Sequence, residues 1–335
     1  EIHPKGKFKE FSKDTDRSKL PPAGAPAPLR LPPAVTSTLS NGMKVVLAER
    51  HETPVVSMAM QFDAGYAADS LAVAGTASMT NRMLLEGTTT RTGPQISERS
   101  AELGAEIFAN SSLDTSNVSL SALKMNLDDS LELFADVVRN PAFPQADFDR
   151  IKKLQMAGIQ REKAEPNALA QRVLPALIYG PGHAYGNPLT GSGTEASLEK
   201  ITRDSVRQFH ATWYKPNNAT LHIVGDTTLD EIKPKLEKLF AGWAGGQVPR
   251  KNIAQVQHRE KTTVYIVDRP GSIQSVIMAG HIAPPRANPD EPAIDLFNNV
   301  LGGSFVARLN MNLREDKHWS YRSEEHTSEL QSPCN

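Results

Sequence analysis

Apolar positions along this chain switch between a period of two and a period near 3.6, and the switches predict its elements. After the turn pair Asn41-Gly42, KVVLAER reads as a strand. TPVVSMAMQFDAG then alternates apolar with small or polar residues as a second one. Over 71–86, Leu71, Ala74, Ala77, Leu84 and Leu85 fall near helical spacing, and Gly87 supplies a stop. Gly93-Pro94 opens a helix to about Leu103, after which AEIFANSS and DTSNVSLSALKM read as two strands. In NLDDSLELFADVVRN, Leu127, Leu131, Phe134, Val137 and Val138 share one helix face behind Asn126 as a cap. Helices are predicted from about Pro144 to Glu165 and from Pro166 toward Tyr179, then a loop, GPGHAYGNPLTGSGT, too rich in Gly and Pro to be regular. Helix 202–213, strand ATLHIVGD and helix 228–241 complete a first domain over 36–242, and 243–257 reads as a linker.

From residue 258 the pattern begins again. TVYIVDRPGSIQSVIMAGHIA parallels KVVLAERHETPVVSMAMQFDAG: a strand ending in an acid and an arginine, a proline turn, then a longer apolar strand. Each is followed by a helix ending at glycine, in LLEGT and LGGS. The expectation is α+β, with two homologous domains, each a mainly antiparallel sheet carrying helices on one face. The second, 258–321, is expected to be truncated. Ser304 is expected to cap a helix that turns Phe305, Leu309 and Leu313 inward.

Composition narrows the class. With 39% hydrophobic and 22% charged residues the chain is globular. No apolar run reaches the ~18 residues of a membrane span. A formal charge of -1 without a basic cluster leaves no footprint for nucleic acid. Residues 1–35, containing SKLPPAGAPAPLRLPP, read as a Pro-rich linker to something upstream. RSEEHTSELQS in 322–335 resembles the translation of a sequencing-adapter oligonucleotide, so that tail is expected to be read-through. Cys334, the sole cysteine, lies in it, which removes disulfide and thiol chemistry from consideration. His183 and Tyr185 in the 180–194 loop have no acid or thiol near them in sequence, which argues against a catalytic pair.

The stretch AGTASMTNRMLLEGT resembles the helix of the insulinase/pitrilysin family of zinc metallopeptidases that reads G-T-A-H-F-L-E-H-M-L-F-K-G-T and carries the inverted motif H-x-x-E-H. Here Ser78, Asn81 and Arg82 stand at the first histidine, the glutamate and the second histidine, and Gly158 falls near the third ligand. Two imidazoles one turn apart can share a metal. A guanidinium has no lone pair to offer, and an amide cannot take up a proton as a general base. No bound metal or other cofactor is expected in this chain. Near the end, LGGSFVARLNMNLREDKHWSY resembles the family's L-G-G-G-F-S-S-R-L-F-Q-E-L-R-E-K-R-G-L-A-Y, placing Arg314 and Tyr321 at its arginine and tyrosine. DKHWS departs from K-R-G-L-A and loses the glycine before the tyrosine.

The resemblance, over about 36–321, implies the non-catalytic C-terminal half of a bacterial, periplasmic endopeptidase. The partner is then a catalytic half, in the same polypeptide or a separate subunit, which holds the zinc. Arg314 and Tyr321 are implied donors to peptide substrate and its transition state. An isolated chain is expected to be inactive. The alternative is an inert structural or substrate-binding subunit of the same fold, in which Arg314 pairs with Glu315 or Asp316 on a helix surface.

Overall fold

The structure is a computed structural model that describes residue 24 and residues 32–320. The chain divides into Glu1–Pro33 and Ala34–Asn335, and all regular elements among the described residues belong to the second unit. Tyr321 and the 322–335 tail lie outside the described residues.

Six strands form one sheet: β1 (Ala34–Thr38), β2 (Lys44–Glu49), β3 (Val55–Phe62), β4 (Glu106–Ser111), β5 (Ser116–Leu123) and β6 (Ala219–Gly225), in the order β1-β2-β6-β3-β5-β4. All neighbours are antiparallel except β2 and β6. The turn into β2 forms as Asn41 and Gly42 predict. Gly42 sits at φ 90°, and Asn41 Oδ1 accepts the Met43 N–H at 3.1 Å.

Strand β6 inserts between β2 and β3 although more than 150 residues separate it from them in sequence. Gly225 makes the insertion possible, because a Cβ there would stand 2.3 Å from the Val55 carbonyl oxygen.

Alternation along the strands divides the sheet into two faces. Val45, Leu47, Val56, Met58, Met60, Phe62, Val118, Leu120, Leu221 and Ile223 are buried. They form one core with the helices α1 (Thr76–Met83), α2 (Gly93–Leu103), α3 (Leu127–Arg139), α4 (Gln145–Ala164) and, further along, α7 (Arg203–Trp213) and α8 (Leu229–Leu239). Between these, α5 (Pro166–Tyr179) and α6 (Glu195–Lys200) frame the 180–194 loop. Among the described residues, the helices of this core all pack on that one face, and none is placed on the opposite face. Its central row, Val46–His222–Ala59–Ser119–Phe108 across five strands, is small or polar apart from Val46 and Phe108. The result is the expected α+β layer with helices on one side.

Two expected helix starts are corrected. Leu71 is 52% exposed and lies outside the helix, which begins at Thr76. The cause is Asp69, whose carboxylate accepts the N–H groups of Gly75 and Ala77 at 2.7 and 2.9 Å and so sets the helix start. Asn126 occupies the N-cap position of α3, but its Nδ2 donates to Leu103 O at 2.8 Å instead of its oxygen capping the helix.

The strands expected within 263–283 do not form, and Ile266, Ile273 and Ile277 are exposed. A helix α9 (Glu291–Asn298) follows, then π-type turns over Asn299–Gly303 and Met311–Asp316 around a short helical turn, Arg308–Asn310. Ser304 caps no helix with its side chain, and Phe305 and Leu309 are exposed rather than inward. An apolar helix face needs another element to cover it, and the sheet expected to do so is not formed among the described residues.

Candidate functional site

Helix α1 carries three of the four sequence-predicted positions. Ser78 is half-buried, Asn81 is buried and Arg82 is exposed. Asn81 points into the protein. Its Nδ2 donates to Asn110 O on β4 and to the Tyr214 hydroxyl, both at 3.1 Å. Burial raises Tyr214 to about 12, so the phenol stays neutral and keeps its proton. Asn81 Oδ1 is buried and has no hydrogen-bond partner among the described residues.

Gly158 lies on α4, which packs against α1. Gln155, one turn earlier, donates to Gly75 O at 3.3 Å and Ser192 O at 2.9 Å. A Cβ built on Gly158 would meet nothing within 4 Å, so the third ligand position is open space.

The four residues therefore do not fit a zinc ion. Arg82 stays protonated. Ser78 offers only a neutral hydroxyl in place of an imidazole, Asn81 stands at the general-base position and as an amide cannot take up a proton, and Gly158 has no side chain. Among the described residues, no group of three or more His, Cys, Asp or Glu is arranged to hold a metal.

Sequence reasoning missed Asp69, the group that organises the start of α1. Burial pushes its carboxyl up to about 7, against the opposing pull of the Ala77 and Gly75 N–H donors. The available signal was a lone acid in the small apolar run AADSLAVAG, six residues before the glycine that precedes the helix.

The 180–194 loop requires another correction. Tyr185 does have an acidic partner, since its hydroxyl donates to Asp114 Oδ1 at 2.9 Å. That acid comes from the β4–β5 hairpin and could not be seen locally. His183 Nδ1 accepts the Tyr185 N–H at 3.0 Å and its Nε2 donates to Ala254 O at 2.9 Å, so both ring nitrogens are engaged in holding the chain.

Arg314 pairs with Glu315 at 3.2 Å and lies over the Phe305 ring, 4.7 Å from its centroid. It borders a shallow depression with Glu315, His318, Trp319 and Ser320. Its proposed companion Tyr321 lies outside the described residues.

Comparison with known proteins gives two family matches, both described as peptidase M16. Residues 44–192 match "Insulinase (Peptidase family M16)" and residues 200–327 match "Peptidase M16 inactive domain". The uncharacterized zinc protease YmxG of Bacillus subtilis is 23% identical over 284 residues, covering 85% of this chain and 68% of that protein.

The crystal structure of a peptidase M16 inactive domain from Pseudomonas fluorescens superposes with a TM-score of 0.75 at 28% identity, over 86% of this chain and 69% of that one. The periplasmic protease PqqL of Escherichia coli shares the fold, with a TM-score of 0.58 at 19% identity, over 67% of this chain and 25% of that one. The chain spans about two thirds of the length of the curated relatives it matches, 68% of one and 64% of another. With two peptidase M16 matches following one another along residues 44–192 and 200–327, and an α1 motif that cannot ligate zinc, the chain belongs to the insulinase (M16) peptidase family and resembles its non-catalytic half.

Proposed function

We propose that this chain serves as the non-catalytic half of a zinc metalloendopeptidase, closing over a catalytic half that holds the metal. The observation that carries the reading is Asn81. Where the family's helix has a glutamate free to exchange protons, this helix has a buried amide bonded to β4 and Tyr214. The position has become part of the packing, so peptide hydrolysis has to be supplied by a partner, either within a longer polypeptide or as a separate subunit. The match to zinc proteases over most of the chain supports that partnership. A periplasmic location is part of the proposal, supported by the fold shared with a periplasmic protease. The unit from 258 to 321 is read as the start of a second homologous domain.

In this reading Arg314 and Tyr321 donate hydrogen bonds to the backbone of a peptide held between the halves. A guanidinium and a phenol suit that task, because both are donors that stay protonated at neutral pH. The test is a reconstituted two-half enzyme. Arg314→Ala or Tyr321→Phe should lower turnover by roughly 10² to 10³, the loss expected for one preorganised donor, with zinc content unchanged. Wild-type turnover in both variants overturns the assignment.

The second reading, an inert structural or substrate-binding subunit, is favoured by the Arg314–Glu315 ion pair and the stacking on Phe305. It predicts unaltered turnover.

A further inference from the structure

Residues 245–254 lie in the segment read from sequence as a linker, yet they are anchored at five points in ten residues. Asn217 and Gly246 exchange two hydrogen bonds, each 2.9 Å, and Lys215 Nζ donates to Gln247 O at 2.8 Å. Lys251 reaches Asp63 Oδ1, the Asp114 carbonyl at 3.2 Å and the Asp114 carboxylate at 3.8 Å. Asn252 O accepts the Ala184 N–H at 3.0 Å while its Nδ2 donates to Gly182 O at 3.0 Å. His183 holds Ala254 O.

These anchors share one place. Phe62 pairs with Ser116 and Ala219, so the end of β3, the 112–115 hairpin and the loop before β6 all lie at one end of the sheet. The segment runs across that end.

We propose that 245–254 is a strap, and that Lys251 is the latch that keeps its second half docked on the first domain. The Lys251 side chain is 6% exposed. Burying an ammonium is costly unless its donors are met, and two acids and a carbonyl meet them here. Without the ammonium, the largely buried Asp114 carboxylate loses its cation, and Tyr185 is left as its hydrogen-bonding side chain.

The strap is also connected to α1. Asp114 O, Ser112 O and Leu113 O accept the N–H groups of Gly65, Tyr66 and Ala67, the turn that carries Asp69 to the start of that helix. Latching therefore fixes both where the chain leaves toward residue 258 and how the hairpin seats the turn before α1. This inference is independent of the proposed function.

Hydrogen exchange on the full chain tests it, because the Ala184 amide bonds to the second half of the strap and the Gly246 amide lies in its first half. Lys251→Met should speed exchange of the Ala184 amide about tenfold or more, with a smaller increase at Gly65, Tyr66 and Ala67. Gly246, anchored by Asn217, and the amides of α3 should be unchanged. Unchanged protection at Ala184 overturns the latch. If Lys251→Met loosens the whole domain, Tyr185→Phe decides. It keeps the ammonium and removes one support of Asp114, so faster exchange confined to Ala184 and the hairpin upholds the proposal. No change, or global loosening, rejects it.

Discussion

Residues 55–62 and 263–283 carry similar alternations of apolar and small or polar residues, and their fates differ completely. Val56, Met58, Met60 and Phe62 are buried on a strand flanked by β5 and β6. Ile273 and Ile277 are exposed in a segment without regular structure. Alternation makes a chain able to bury one face, but a strand also needs neighbours to accept its N–H and C=O groups. The first segment receives one neighbour, β5, from the β4–β5 hairpin and another, β6, from farther along the chain. The described part of the second region supplies neither.

The largest effect that can break this comparison lies in how tightly the two regions are packed. Phe134→Ala removes a fully buried ring from α3 and should cost about 3–5 kcal/mol in urea unfolding. Val264→Ala, at a side chain 79% exposed, should stay within about 0.5 kcal/mol. Comparable losses would mean that the second region is packed as tightly as the first.

Next in size is a pH effect confined to the first region. His210 stacks on Tyr214, its Nε2 donates to Val138 O, and burial pulls its pKa from 6.5 to about 4. Between those values the unfolded chain binds a proton that the folded chain refuses. This contribution is therefore complete above pH 6.5 and is lost as the pH falls through 4, by roughly 3 kcal/mol in all. Urea midpoints measured against pH should show that extra slope in the wild type and not in His210→Gln. Equal slopes would remove the histidine from the acid response.

The smallest contrast concerns helix starts. Thr202 Oγ1 accepts the Ser205 N–H at 3.1 Å in a capping box on α7, so Thr202→Ala should cost about 1 kcal/mol. Ser304 follows the Asn299–Gly303 turn as its C-cap residue, donates to Asn299 O, and caps no helix start. Ser304→Ala should leave the unfolding midpoint within error, and a loss matching that of Thr202→Ala would show that the expected cap exists after all.

The site divides along the same line. The loss of metal ligands was legible at Ser78, Asn81, Arg82 and Gly158, because ligation depends on side-chain chemistry at fixed helical spacing. The partners of Asn81 were not, since Asn110 and Tyr214 reach it only once β4 and α7 have packed around α1. Tyr185 and Asp114 were unreadable as a pair for the same reason.

Local rules were enough for α2, the β4–β5 hairpin and the amphipathic face of α3, where periodicity and turn chemistry act within a dozen residues. They also gave the one-faced sheet, since alternation alone separates a core side from an open side. Tertiary structure decided what depends on groups distant in sequence. It inserted β6 between β2 and β3 at the clearance Gly225 allows. It also moved the start of α1 to Asp69's hydrogen bonds and turned a Gly-rich linker into a segment pinned by Lys251. Sequence encodes which groups can bond; only the packed chain brings the acceptor to the donor.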